Sequence, residues 1–180
     1  MHQGWIKDYE YRRAAKMLQK FYGWSAKNSN KLISVEEKFE FKLGKAVVSG
    51  SIDRIELTSE NKYFIVDLKT GSTPISYQDA QTNKQLQSYQ LAVVNNAFKN
   101  KLDHQDVAGA QLIYIGDADA KEAKSRPQDK VDSCLFTQEL LEIASGMSNN
   151  TFAEKINDSC RNCGVKSSCP IQPQGRGVVD

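Results

Sequence analysis

This sequence predicts an α/β fold, and three observations carry the expectation: a helical apolar stripe near the start, an alternating segment folded back by a turn, and a buried-type strand followed by a second helical stripe. In the first, Ala14, Met17, Leu18, Phe21 and Tyr22 recur at three- and four-residue steps between Tyr9 and Trp24, so one helix buries one face. In the second, Val35, Phe39, Phe41 and Leu43 alternate along a strand from Leu32 to Leu43, Gly44-Lys45 supplies a turn, and Ala46 to Leu57 returns. Tyr63 to Lys69 is the third strand, its Tyr63-Phe64-Ile65-Val66 run suited to burial on both faces, and Gly71-Ser72-Thr73-Pro74 ends it. Asp79 to Phe98 then carries Leu86, Tyr89, Leu91, Ala92, Val93 and Ala97 at helical spacing. Ala110 to Ile115 reads as a short strand, Asp117 to Lys130 as an exposed polar loop, and Val131 to Phe136 as a last strand. Thr137-Gln138-Glu139-Leu140 opens a helix through Ile143, and a short helical piece around Phe152 to Ile156 leads into three cysteines. The order is helix, three strands, helix, two strands, helix.

A chain of 180 residues suits one domain. With 39% hydrophobic and 26% charged residues it is too apolar for wholesale disorder and too polar for a membrane protein. Twenty-four basic against 22 acidic residues leave +2, so any basic groove must come from placement rather than from excess. No apolar run approaches the roughly 18 residues that span a bilayer, and the start lacks a signal-peptide core, which predicts a cytoplasmic protein. The first helix is under way within a few residues of Met1, as in a fragment whose preceding helix or domain is absent.

The sharpest polar feature is Asp67-Leu68-Lys69 at the end of the third strand. Residues two apart on a strand share a face, so Asp67 and Lys69 can act on one substrate group, as in metal-assisted hydrolysis. The triplet by itself is weak: Asp119-Ala120-Lys121 has the same form, and Glu36-Glu37-Lys38 and Glu122-Ala123-Lys124 differ only by Glu. Only Asp67 follows a four-residue apolar strand, where burying a charge costs several kcal/mol unless it is paired or binds metal. Asp53, in Gly50-Ser51-Ile52-Asp53-Arg54-Ile55, can converge with Asp67 on one cation if the two strands are hairpin neighbours; a salt bridge to Arg54 or Lys69 is the alternative. Gln85 and Tyr89 are four apart and share a helix face, offering an amide and a phenol to a phosphate or base edge, or simply a half-buried tyrosine.

Taken together, Gly50-Ser51-Ile52-Asp53-Arg54-Ile55, Ile65-Val66-Asp67-Leu68-Lys69-Thr70-Gly71 and Gln85-Leu86-Gln87-Ser88-Tyr89-Gln90-Leu91-Ala92 resemble successive motifs of the RecB-like branch of the PD-(D/E)xK nucleases. The resemblance implies a restriction-endonuclease-like mixed β-sheet flanked by helices and a Mg²⁺ (or Mn²⁺) site. It assigns metal ligation to Asp53 and Asp67, water activation to Lys69, and substrate or lysine positioning to Gln85 and Tyr89. Val35-Glu36-Glu37-Lys38-Phe39 resembles the acidic strand ahead of the first Asp, with Glu36 as the match. Many relatives carry a metal-binding His or Glu on a helix before the first strand; His2 and His104 are the histidines here and neither matches, so a truncated metal site is one expectation.

Near the C-terminus Cys160-Arg161-Asn162-Cys163 and Cys169-Pro170 form a C-x₂-C-x₅-C array. In a reducing cytosol a metal is the better expectation than a disulfide, and zinc or a four-iron cluster each needs four ligands. The array resembles the C-terminal cluster of AddB-type and CRISPR-associated adaptation nucleases, which implies a [4Fe–4S] centre on Cys160, Cys163 and Cys169, with Zn²⁺ the alternative. The fourth ligand is not identified: either Cys134 is simply buried, or the ligand lies on a segment before Met1. This divides the chain into a nuclease core over 1–157, lacking its N-terminal start, and a cysteine-cluster segment and tail over 158–180.

The expected function is a metal-dependent deoxyribonuclease, an exonuclease rather than an endonuclease, working on single-stranded DNA beside a superfamily 1 helicase domain or subunit in break repair and recombination. The alternative is a non-catalytic DNA-binding or scaffolding module of a helicase complex. Lys84, Lys99, Lys101, Lys121, Lys124, Arg126 and Lys130 are candidates for a strand path, against the plainer reading of solvated charges.

Overall fold

The computed structural model describes residues 3–98, 102–149 and 154–173. The chain divides into two compact units, Met1–Leu141 and Glu142–Asp180. The first carries helix α1 (Gln3–Lys27), strands β1 (Lys31–Leu43), β2 (Ala46–Leu57) and β3 (Tyr63–Lys69), helices α2 (Tyr77–Gln81) and α3 (Lys84–Val94), and strands β4 (Val107–Tyr114) and β5 (Lys124–Asp129). Helix α4 (Ser133–Ser148) follows, and two 3₁₀ turns, Asp158–Asn162 and Lys166–Ser168, hold the cysteines. No helix among the described residues is long and apolar enough to cross a membrane.

The five strands lie side by side in chain order, β1-β2-β3-β4-β5. All neighbours are antiparallel except β3 and β4, which run parallel and are linked by the crossover through α2 and α3. The predicted mixed sheet flanked by helices is therefore the observed fold.

Each face of the sheet has its own core. Ile55, Ile65 and Leu112 point to one side, where Leu86 and Tyr89 of α3 and Phe39 of β1 close over them. Val66, Ile113 and Ile115 point to the other, against Met17, Phe21 and Trp24 of α1. β3 feeds both layers, which is why its four apolar residues are consecutive rather than alternating. The end of α1 is tied down by a buried carboxylate: Glu56 accepts from Asn28 Nδ2 (2.7 Å), Asn30 Nδ2 (3.2 Å) and Arg54 Nε, while the Arg54 guanidinium lies 5.7 Å from the Trp24 ring centroid.

Four expectations need correction. Val131 to Phe136 is not a strand, because Asp132 accepts from the Cys134 and Leu135 backbone amides (both 3.0 Å) and starts α4 at Ser133. The fifth strand lies instead at Lys124–Asp129, inside the segment read as a loop. Polar hydrogen bonding holds it: buried Gln128 accepts from Gln90 Nε2 (2.9 Å) and donates to Ala80 O (2.7 Å). The long helix from Asp79 to Phe98 is two, since Thr82 ends α2 and Asn83 caps α3 by accepting from Leu86 N. Of the expected helical piece around Phe152 to Ile156, residues 152 and 153 lie outside the described residues, and 154–156 are not helical.

Candidate active site

β2 and β3 pair antiparallel from Leu57↔Tyr63 to Arg54↔Val66, and one further step brings Asp53 opposite Asp67. The Leu68 backbone N–H donates to Asp53 Oδ2 at 2.8 Å, so the first carboxylate is anchored on the strand of the second. Lys69, two residues on and on the same face, places Nζ 2.7 Å from Asp67 Oδ2 and donates to Gln85 Oε1 at 2.8 Å. Gln85 Nε2 in turn donates to Tyr89 OH at 2.7 Å. One turn of α3 thus grips the lysine through an amide whose orientation is fixed by a phenol, and Asp53, Asp67, Lys69, Gln85 and Tyr89 form one continuous set.

The electrostatics follow from burial. Asp67 is 2% exposed, and that burial raises its carboxyl pKa; the Lys69 ammonium pulls the other way, and the Asp53 charge adds to the rise. The Tyr89 phenol is also raised, first by burial, with the Gln85 bond opposing and the negative charges of Asp67, Asp53 and Glu36 adding to it, so it stays protonated. Its ring stands edge-on to Phe39, centroids 5.8 Å apart. The space at Gly50 belongs to that packing, since a Cβ there would meet the Phe39 ring at 2.9 Å.

Asp67, Asp53 and Glu36 thus all act electrostatically on the Tyr89 phenol. Glu36 lies between the Val35↔Arg54 and Glu37↔Ile52 pairs, opposite Asp53, and has the left-handed φ of +49°. A non-glycine residue in that region is uncommon and costs on the order of 1 kcal/mol, which marks a position held by its surroundings. The family resemblance picks out Glu36 in the sequence, but its place opposite Asp53 across β1 and β2 and its left-handed backbone come from the structure.

The donor set fits a hard divalent cation. Asp67 is buried with the Lys69 ammonium 2.7 Å from Oδ2, Asp53 stands on the adjacent strand, and carboxylate oxygens are what Mg²⁺ takes. The described residues nevertheless contain no group of three or more His, Cys, Asp or Glu side chains arranged to hold a metal. That includes the cysteines. Cys160, Cys163 and Cys169 are free thiols on the two 3₁₀ turns, with Asn157 N donating to Cys160 Sγ at 3.4 Å. Their chemistry suits iron or zinc, but they are not gathered around one centre. Cys134, which on one expectation was simply buried, is exposed at the start of α4.

Three of the seven candidate strand-path cations are engaged. Lys84 pairs with Glu139 (2.6 Å), Lys124 with Asp117 (2.7 Å), and Arg126 lies 4.4 Å from the Tyr77 ring centroid. Lys121 and Lys130 are exposed, and Lys99 and Lys101 lie outside the described residues. A basic groove missed by the sequence reading lies between α1 and residues 115–118. It is about 700 Å³ and is lined by Arg12, Arg13, Lys16 and Lys20 with no carboxylate. Arg13 there donates to Thr70 O at 3.3 Å, next to Lys69.

Comparison with known proteins gives one family. The model described as the PD-(D/E)XK nuclease superfamily matches residues 1–170. No curated protein gives a match. Among solved structures, one titled "Crystal structure of SSO0001" is similar with a TM-score of 0.45 and 18% identity, covering 77% of this chain and 61% of that one. The chain thus spans less than two thirds of that structure's length.

Proposed function

The chain belongs to the PD-(D/E)XK nuclease superfamily, and from that premise we propose that it is a metal-dependent nuclease that hydrolyses DNA phosphodiester bonds at Asp53, Asp67 and Lys69. The observation that carries the reading is the buried Asp67 carboxylate, with Asp53 on the neighbouring strand, paired to a lysine that Gln85 grips.

In this reading Asp53 and Asp67 hold Mg²⁺ or Mn²⁺. The cation supplies charge neutralisation at the phosphate under attack. Lys69 keeps its Nζ fixed between Asp67 and Gln85 and still has an N–H to orient the attacking water or to face the developing negative charge. Gln85 cannot rotate away without giving up its bond to Tyr89, and Tyr89, kept protonated, adds no fourth negative charge beside the carboxylates.

The finer proposal follows the RecB-like resemblance: an exonuclease module fed single strands by a superfamily 1 helicase in break repair, with a [4Fe–4S] cluster on Cys160, Cys163, Cys169 and a fourth thiolate. One observation favours the second reading, a nuclease fold that binds or scaffolds without turnover: among the described residues no group of three or more His, Cys, Asp or Glu side chains is arranged to hold a metal.

Digestion of end-labelled single-stranded DNA in Mg²⁺ or Mn²⁺ tests both. Cutting is expected to stop with chelator and to fall about a hundredfold in Lys69→Ala, the usual weight of a positioned proton-transfer group. Wild-type protein that is folded and binds DNA but never cuts it supports the scaffold. Iron content and visible absorption of the same preparation test the cluster, and an iron-free, colourless, folded protein overturns it.

A further inference from the structure

The sheet face that carries Asp67 continues sideways into a second feature. Asp67 pairs in register with Leu112 of β4, and Leu112 with Arg126 of β5, so the three lie in one row. At the usual strand spacing, Arg126 stands about 10 Å from Asp67 on the same face. Its guanidinium is fixed by two carbonyls: Nε donates to Ile75 O at 2.6 Å and Nη1 to Ser125 O at 2.9 Å. Ile75 is held a second time, its N–H donating to the hydroxyl of buried Tyr114 at 3.4 Å, and Tyr114 is the register partner of Lys69. The segment leaving Lys69 is therefore pinned at both backbone groups of Ile75, and Tyr77 follows two residues later.

Tyr77 is 63% exposed, with the Arg126 guanidinium 4.4 Å from its ring centroid. The ring is backed by a planar cation, is largely exposed to solvent and stands on an anchored backbone. This arrangement suits an aromatic ligand at low ordering cost, because neither the ring nor its support has to be immobilised on binding.

We propose that Tyr77, backed by Arg126, is a stacking platform for the base of the nucleotide next to the one whose phosphate reaches Asp67, so that the site takes a strand whose bases are unpaired there. The inference rests on the nuclease reading and deepens it by assigning Tyr77 to contact with the unpaired strand. Every base has a π-face, so stacking is tolerant of sequence, and a guanidinium behind the ring adds a cation–π contribution. A base inside a duplex already has both faces covered by its neighbours and cannot offer one to Tyr77 without unstacking. Lys124, the register partner of Tyr114, is paired with Asp117, and Arg126 is the cation placed over the ring.

The test uses the full chain with Ca²⁺ in place of Mg²⁺ and a set of short single-stranded oligonucleotides in which one abasic site is moved along the strand. Wild-type affinity is expected to drop about tenfold, the weight of one base stack, for the abasic site next to the cut position. Tyr77→Ala is expected to bind the intact strand about tenfold more weakly and to lose that position dependence, while Tyr77→Phe, which keeps the ring, retains both. A wild type that cuts DNA in Mg²⁺ but responds equally to every abasic position overturns the platform and leaves the nuclease standing, as does a Tyr77→Ala that binds and discriminates like wild type. A folded wild type that neither binds nor cuts overturns both.

Discussion

Replacing Asp67 by Asn is expected to lower DNA cleavage by about a thousandfold or more while leaving the metal-free protein at least as stable at neutral pH. Several kcal/mol of transition-state stabilisation depend on the cation that Asp67 is proposed to hold, and each 1.36 kcal/mol is tenfold in rate. The stability side follows from linkage. Burial raises the Asp67 pKa above its ordinary value, more than Lys69 lowers it, so the folded state binds this proton more tightly than the unfolded chain. The contribution to stability is then fully present below the ordinary carboxylate pKa and is lost as pH rises through the folded value. At neutral pH the ionised, 2% exposed side chain is a net burden that the isosteric amide does not carry. The forfeited ion pair is a small loss because Lys69 is partly exposed. Thermal melts in chelator should show the variant level with or above wild type at neutral pH and the difference closing toward acid. Added Mg²⁺ should raise the melting temperature of wild type but not of the variant. A variant that melts far below wild type in chelator would mean that Asp67 is a structural residue.

Gly116→Ala is expected to be the most damaging small substitution in the first unit, costing about 3 kcal/mol, because overpacking against backbone cannot be relieved by a side-chain rotation. A Cβ at 116 would stand 1.9 Å from Thr70 O and 2.8 Å from Gly71 O. The close approach exists because β4 continues alongside the end of β3, with Ile115 N donating to Lys69 O at 2.9 Å. To admit the methyl group, either that bond opens or Thr70 moves, and Thr70 carries Lys69 with it. Activity should therefore fall together with the urea midpoint. Gly23→Ala is the control: nothing lies within 4 Å of a Cβ there, and alanine in the interior of α1 should be neutral or stabilising by roughly 0.5–1 kcal/mol. Equal midpoints for the two variants would show that the Lys69–Ile115 junction is looser than described.

The hairpin, the third strand and the convergence of Asp53 with Asp67 were legible because each rests on local periodicity. Two aspartates near the ends of antiparallel neighbours are set opposite one another by the turn between them. Gln85 and Tyr89 were legible for the same reason, being one helical turn apart. β5 was not, since Lys124-Ser125-Arg126-Pro127-Gln128-Asp129 has no apolar alternation, and its place is set by Gln128 bonding to α2. Conversely, Val131 to Phe136 is apolar enough for a strand, but one capping aspartate turned it into a helix start. The Gly116 contact and the left-handed Glu36 were invisible because both are imposed by neighbours distant in sequence.

The left-handed backbone at Glu36 also bears on how the molecule avoids its own kind. In the five-strand order β1 and β5 are the outermost strands, and a long, straight outer strand is a template on which another chain can add itself. β1 is 13 residues long and carries exposed Leu32 and Val35. The break in regular backbone at Glu36 interrupts that template immediately after Val35, and on the opposite rim Pro127 withholds an amide from the middle of β5. Regular backbone at the residue that faces Asp53 across the hairpin would therefore leave a longer uninterrupted edge, and a Glu36 variant that adopts it is expected to self-associate more readily in light scattering.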